Sequence, residues 1–177
     1  MPQTAEGDGP HARDSTPVQA AGLVVMLAIP LIVSFFAGQA TDPHTDGWYE
    51  QADQPPWNPP DWLFGPVWTV LYVSMGVAAW LIWRRRHQHL VRAALIVYFV
   101  QLAINGAWAP LFFAAYPSWG SSALWAAFAV IVALIIAVVL TIRAFWPISR
   151  IAAALLVPYL AWILYASTLN GYIALAN

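Results

Sequence analysis

Residues 119–145 read WGSSALWAAFAVIVALIIAVVLTIRAF, an apolar run that indicates the fold class of the whole chain. Its one charged residue, Arg143, lies close to its end, and a helix needs roughly 20 consecutive apolar residues to cross a bilayer. The whole chain has the same character, since 61% of its 177 residues are hydrophobic and only 8% are charged. Soluble domains carry about a quarter charged residues. Residues 119–145 are therefore predicted to form one helix of a membrane protein.

Four similar apolar runs surround this helix. They occupy residues 18–40, 62–83, 90–115 and 148–176. Pro110 and Pro158 lie within two of these runs and are predicted to kink or interrupt their helices. Residues 1–17 are too polar to bury and are predicted to form a disordered tail. The predicted fold is an all-α membrane protein, a five-transmembrane-helix bundle over residues 18–177.

The connections between the predicted helices differ sharply in charge. Residues 41–61 carry five acids and the run PPWNPP at 55–60, which is predicted to form a stiff Pro-rich lid loop because prolines forbid a regular helix. The arginines of the later chain occupy the connections after the second and fourth helices, at positions 84, 85, 86, 92, 143 and 150. The positive-inside rule then predicts an inside N-terminus and an outside C-terminus. Apolar helices with basic loops favour a cytoplasmic membrane over a barrel-bearing outer one.

Eleven tryptophans are the strongest chemical signal in the sequence. Six fall at predicted span ends, where aromatic belts form at both interfaces: Trp48, Trp57, Trp62, Trp83, Trp119 and Trp146. Trp68, Trp108 and Trp162 instead lie within spans, at about 9, about 12 and about 20 Å from the predicted outer ends. An indole N–H at such depth needs a partner or a cavity.

Three amides accompany these deep tryptophans. Asn105 lies one turn from Trp108, Gln101 lies one turn further along the same face, and Asn170 has a similar depth on the fifth helix. Together they are able to form a pocket beneath the lid loop for a flat, apolar ligand with a few polar edges. Amides also commonly bridge neighbouring membrane helices without any ligand. The residue pattern alone leaves both interpretations open.

Several absences narrow the chemistry. No His, Asp, Glu or Lys falls within a predicted span, which argues against a buried proton relay, a carboxylate ion site or a haem held by histidines. There is no cysteine, so thiolate chemistry is excluded. We predict no metal site, no obligatory cofactor and no nucleic-acid partner.

A stripe of small residues at 129, 133 and 137 permits close approach of a helix, either from a second copy or from this chain.

Motifs in four of the five helices and in the lid loop resemble one family, that of the tryptophan-rich sensory proteins, translocator proteins and peripheral-type benzodiazepine receptors. The resemblance covers about residues 18–172, in order. It rests on the following segments: Trp48-Tyr49, Pro55-Pro-Trp-Asn-Pro-Pro60, Phe64-Gly-Pro-Val-Trp68, Leu71-Tyr72, Asn105-Gly-Ala-Trp108, Phe112-Phe113, Val157-Pro-Tyr159, Trp162 and Leu169-Asn170.

The resemblance implies a five-helix bundle, usually a homodimer, that binds porphyrins such as protoporphyrin IX or haem in a pocket closed by the first loop. It implies that Trp68 and Trp162 correspond to tryptophans tied to light-dependent porphyrin degradation in some members. The implied pocket and lid residues are Trp48, Tyr49, Trp57, Asn105 and Trp108, and Ala166 matches a small position on the fifth helix. Animal members carry a proposed sterol motif with a basic residue near the end of that helix. No Lys or Arg follows Arg150, so sterol binding is not expected.

Three functions remain open at this point. The first is a membrane receptor or carrier for porphyrins, acting in tetrapyrrole transport or stress regulation. The second is an enzyme that degrades porphyrin in light by means of the pocket tryptophans Trp68 and Trp162. The third is a membrane scaffold or sensor whose pocket holds only lipid.

Overall fold

The structure is a computed structural model that describes residues 15–177, apart from the side chain of Asp46. Within that part of the chain, five helices are long and apolar enough to cross a membrane, and no β-strand occurs. The prediction of an all-α, five-span membrane protein is confirmed. Most of the predicted disordered tail lies outside the described residues, and its last two residues, Thr16 and Pro17, already belong to the first helix.

The described part of the chain contains seven α-helices, which we number in chain order. They are α1 (Thr16–His44), α2 (Phe64–Trp83), α3 (Arg92–Ala109), α4 (Tyr116–Trp119), α5 (Ser121–Phe145), α6 (Arg150–Leu155) and α7 (Val157–Ala176). Short π-helical segments extend α1 (Thr45–Tyr49) and α3 (Pro110–Ala114), and a 3₁₀ turn (Asp61–Leu63) leads into α2. Six of the seven α-helices belong to the five spans, whereas α4 lies in the connection between the third and fourth spans. The fifth span consists of α6 followed by α7.

Prolines divide the third and fifth spans where the sequence predicts. Regular α-helix ends at Ala109, and Pro110 opens a π-helical turn in which the N–H of Ala115 donates to the carbonyl of Pro110 at 2.9 Å. In the fifth span, α6 ends at Leu155 and Pro158 lies in the first turn of α7. That position suits proline because the first N–H groups of a helix have no partner within it.

The lid loop is shorter than the predicted 41–61. Helix α1 continues through Pro43 to His44, and Thr45–Tyr49 stays helical with a break at Gly47 (φ −111°, ψ −117°). One proline removes a single N–H donor and bends a helix, whereas four prolines in six residues leave a helix too few donors. The chain therefore loses helical structure close to the Pro-rich run, well after residue 41.

Helix α1 packs on α2 and α3, α3 packs on α5, and α5 packs on α7, while α6 packs on α2 and α5. Two glycines permit the close contact of α1 with α2. A Cβ at Gly76 would lie 2.7 Å from the carbonyl oxygen of Met26 and 2.9 Å from Cα of Leu27, and a Cβ at Gly22 would meet the ring of Trp83. The α1–α2 contact fixes one wall of the site described below.

Gly76→Ala is expected to lower the free energy of unfolding by about 1–3 kcal/mol, because the new methyl group meets backbone atoms of α1 that cannot move aside separately. Thermal unfolding of the purified protein in detergent measures this loss. Gly65→Ala on the same helix is the matched control, since a Cβ there meets nothing within 4 Å. Equal melting temperatures for the two variants would contradict the packing described.

Candidate functional site

A cavity of about 500 Å³ lies between α1, α2, α3 and α7, at the end of the bundle that carries the lid loop. Its walls are mostly apolar, and the hydroxyls of Thr41 and Thr69 on them donate to carbonyls of their own helices. Six of the nine residues that the sequence indicates as ligand-binding line this cavity: Tyr49, Trp68, Asn105, Trp108, Ala166 and Asn170.

Asn105 is the polar centre of the cavity wall, although only 3% of its surface is exposed. The hydroxyl of Tyr72 donates to its Oδ1 at 2.6 Å, and its Nδ2 donates to the hydroxyl of Tyr159 at 3.0 Å. Asn105 on α3 thus joins α2 to α7. The two interpretations of this amide are compatible, because it bridges helices and also faces the cavity.

Asn170 makes a second bridge between helices. Its Oδ1 accepts the indole N–H of Trp108 at 3.1 Å, and its Nδ2 donates to the carbonyl of Leu124 at 3.0 Å. These bonds join α3, α5 and α7. The ring of Trp108 also stacks on Phe112, with ring centroids 5.3 Å apart. The orientation of Trp108, whose ring forms part of the cavity wall, is therefore fixed on both its edge and its face.

The lid is held over the cavity by polar and aromatic contacts. The hydroxyl of Tyr49 donates to Oδ1 of Asn58 at 3.3 Å, and the carbonyl of Tyr49 accepts from Gln54 at 2.7 Å. Burial raises the pKa of Tyr49 to about 12, which extends to higher pH the range over which its hydroxyl is protonated and able to donate. The hydroxyl of Tyr165 on α7 donates to the carbonyl of Trp57 at 2.6 Å. The Pro-rich run is thereby attached to the fifth span.

Trp48, Trp57 and Trp162 lie outside the cavity lining. Trp48 stacks on Tyr116 with centroids 3.9 Å apart, and its indole N–H donates to the carbonyl of Phe113 at 2.9 Å. Trp57 is 48% exposed and meets Tyr172 edge to face.

Trp162 lies behind Phe64, a cavity residue, with ring centroids 5.9 Å apart. Its buried indole N–H has no hydrogen-bond partner. Gln101 is also absent from the lining. It is fully buried, and its Nε2 lies 3.9 Å from the sulfur of Met75. The roles that the resemblance implies for Trp48, Trp57 and Trp162 stay predictions.

Sequence reasoning missed several residues of the cavity. Tyr72 lies one turn after Trp68 on the same helix face, and this spacing was a usable signal. On α1, a stripe of small residues contributes a whole wall at positions 34, 37, 38 and 41. Asp42 and Asp61 line the mouth and are exposed to solvent. They flank the lid loop in sequence, but only the folded chain brings them to one opening.

Comparison with known proteins agrees with this architecture. The sequence model of the TspO/MBR family matches residues 26–175. The chain belongs to the TspO/MBR family. It is 39% identical over 157 residues to the tryptophan-rich protein TspO of Archaeoglobus fulgidus, covering 89% of this chain and 95% of that protein.

Relatives of this TspO/MBR chain also occur in animals and bacteria. It is 38% identical over 133 residues to the human translocator protein, covering 72% of this chain and 74% of that one. It is 37% identical over 125 residues to the tryptophan-rich sensory protein of Cereibacter sphaeroides, covering 71% and 73% of the two chains. The resemblance predicted from the motifs is confirmed, and the chain is an integral membrane protein.

Proposed function

We propose that this TspO/MBR protein is a membrane receptor or carrier that binds a porphyrin, protoporphyrin IX or haem, in the cavity beneath the lid. The observation that carries the proposal is the composition of the wall, which combines the rings of Trp68, Tyr72, Trp108 and Phe112 with two buried amides, Asn105 and Asn170. A flat conjugated macrocycle gains dispersion and stacking energy from such rings. A volume of about 500 Å³ also falls in the usual range for small-molecule sites.

The porphyrin is expected to bind with its macrocycle inward and its propionate groups at the mouth. Carboxylates need water or cations, and the described lining residues include no lysine or arginine. Instead, Asp42 and Asp61 line the mouth. The propionates would therefore meet like charges there, which weakens binding of the free acid relative to its uncharged esters.

Replacing Asp42 and Asp61 together by asparagine is expected to raise the affinity for protoporphyrin IX roughly threefold to tenfold, the size of a few screened charge pairs near a surface. Its dimethyl ester, titrated in the same way, should bind the double variant and the original protein equally. The gain should shrink at 1 M salt. An unchanged affinity for the free acid would place the propionates elsewhere.

The experiment that tests the proposal is a titration of the purified protein with protoporphyrin IX in the dark, followed by tryptophan quenching and porphyrin absorbance. Saturable quenching that is absent from protein-free micelles, and that weakens in Trp68→Phe, supports the proposal. Absence of saturable binding contradicts it and leaves the scaffold function, in which the cavity holds only lipid.

Light-dependent porphyrin degradation is a second candidate, favoured by the position of Trp68. Its ring forms part of the cavity wall and lies 5.4 Å from that of Tyr72 and 6.3 Å from that of Tyr159. The reactants would be the excited porphyrin and dioxygen. Illumination should then bleach the bound porphyrin to a defined product in the original protein but not in Trp68→Phe. Because Trp162 lies behind Phe64, Trp162→Phe should have the smaller effect.

The same geometry supports two further proposals, one for the orientation of the protein in the membrane and one for its assembly. The connections that carry six arginines all lie at the end of the bundle opposite the lid. If that end faces the cytoplasm, the N-terminus is inside and the cavity opens outside a cytoplasmic membrane.

Ala129 and Ala133 are exposed on α5 whereas Ala137 is buried, so the first two offer a surface for a second copy in a homodimer.

A further inference from the structure

We propose that a second site, at the arginine end of the bundle, binds the phosphate of an anionic phospholipid. The site is a groove of about 420 Å³ lined by Arg85, which follows α2, and by the turn between α5 and α6, including Arg150. It lies at the opposite end of the bundle from the cavity beneath the lid. The proposal is therefore independent of porphyrin binding.

The two arginines are held in the groove by contacts that leave most of their donors available. The guanidinium of Arg85 donates through Nη1 to the carbonyl of Ile148, and that of Arg150 lies 5.8 Å from the ring centroid of Trp146. Both arginines are exposed. A guanidinium carries five N–H donors, so a single carbonyl contact leaves several for an anion. Two guanidinium groups on one groove match the oxygens of a phosphodiester.

Charge at this end of the protein favours an anionic occupant. No Asp or Glu follows Asp61 in the sequence, so the α2–α3 and α5–α6 connections carry arginines without acids of their own. Arg84 and Arg92 add further positive charge near the end of α2 and the start of α3. Basic groups beside a membrane span attract anionic lipid headgroups.

Exposed apolar side chains beside the arginines favour a lipid over a soluble anion. Trp146 is 53% exposed and Ile151 is 69% exposed, and both line the groove. They lie at the ends of spans, where headgroups meet acyl chains. A phospholipid would place its phosphate between Arg85 and Arg150 and its glycerol and upper acyl chain on Trp146 and Ile151, whereas a soluble anion leaves these two side chains unused.

The test is thermal unfolding of the full-length protein in a neutral detergent with increasing dioleoyl phosphatidylglycerol or dioleoyl phosphatidylcholine. We expect a saturable rise in melting temperature with phosphatidylglycerol and none with phosphatidylcholine. Arg85→Gln combined with Arg150→Gln should weaken the apparent affinity for phosphatidylglycerol roughly thirtyfold, the effect of two interfacial arginines.

Two further variants keep the test decisive. Arg92→Gln removes an exposed arginine at the same end that does not line the groove, and it should weaken binding far less than the groove substitutions because its charge acts only at longer, screened range. If the double variant fails to fold, Arg150→Gln alone keeps the bond from Arg85 to Ile148 and should weaken binding roughly fivefold. Equal stabilisation by the two lipids, or unchanged affinity in the groove variants, overturns the proposal. A saturable shift of the same size with inorganic phosphate also overturns it, in favour of a soluble anion.

Discussion

Replacing Asn105 by leucine is expected to lower the free energy of unfolding by about 1–3 kcal/mol, since a hydrogen bond between membrane helices is worth about 0.6–1.7 kcal/mol and two are lost. The substitution leaves the hydroxyls of Tyr72 and Tyr159 without their present partner, and both of these side chains are buried. Reversible unfolding in mixed micelles with increasing sodium dodecyl sulfate measures the loss.

A double-mutant cycle separates lost hydrogen bonding from changed packing. In a background that carries Tyr72→Phe and Tyr159→Phe, the two hydroxyls are already absent, so Asn105→Leu should cost much less than in the original protein. Equal costs in both backgrounds would mean that the Tyr72–Asn105–Tyr159 chain contributes little, and that Asn105 acts through its shape.

Ala166→Phe is expected to reduce the affinity for protoporphyrin IX at least roughly tenfold, because the added ring occupies part of a cavity sized for one small ligand. Ala166 is 5% exposed and lines the cavity on α7. Dark titration with tryptophan quenching measures the affinity.

The matched control for Ala166→Phe is Ala161→Phe on the same helix. Ala161 is exposed and does not line the cavity, so that variant should bind porphyrin like the original protein. Melting temperatures of both variants show whether the fold is kept. If folded Ala166→Phe retains full affinity while the original protein binds saturably, the porphyrin occupies a different site.

The parts of the site that the sequence predicted share one property. Trp68, Asn105, Trp108 and Asn170 are polar or large aromatic residues inside otherwise apolar spans, and their distance along each helix placed them at similar depth. The depth of a residue does not change when the helices pack, because a spanning helix has a fixed rise per residue. These four residues do line one cavity.

The residues that prediction misplaced show what depth leaves out. Trp162 lies on a predicted span at a plausible depth, yet it is absent from the cavity lining and contacts Phe64, which does line the cavity. Gln101 shares a helix face with Asn105 but ends beside Met75 in the core. Distance along a helix gives one coordinate only, while the rotation of each helix about its axis depends on its neighbours. The predicted start of the lid loop at residue 41 was wrong for a local reason, because helix α1 continues through Pro43.

Long uncharged runs and family motifs are properties of the amino-acid sequence, so they were sufficient to predict a five-span helical bundle of the TspO/MBR family in which the arginines after residue 83 lie at one end. The folded chain was needed to show which side chains share the cavity, that Tyr72 and Tyr159 meet at Asn105, and that Asp42 and Asp61 lie at one mouth. Those contacts join residues far apart in sequence, and packing between helices, such as that of α1 against Gly76, sets them.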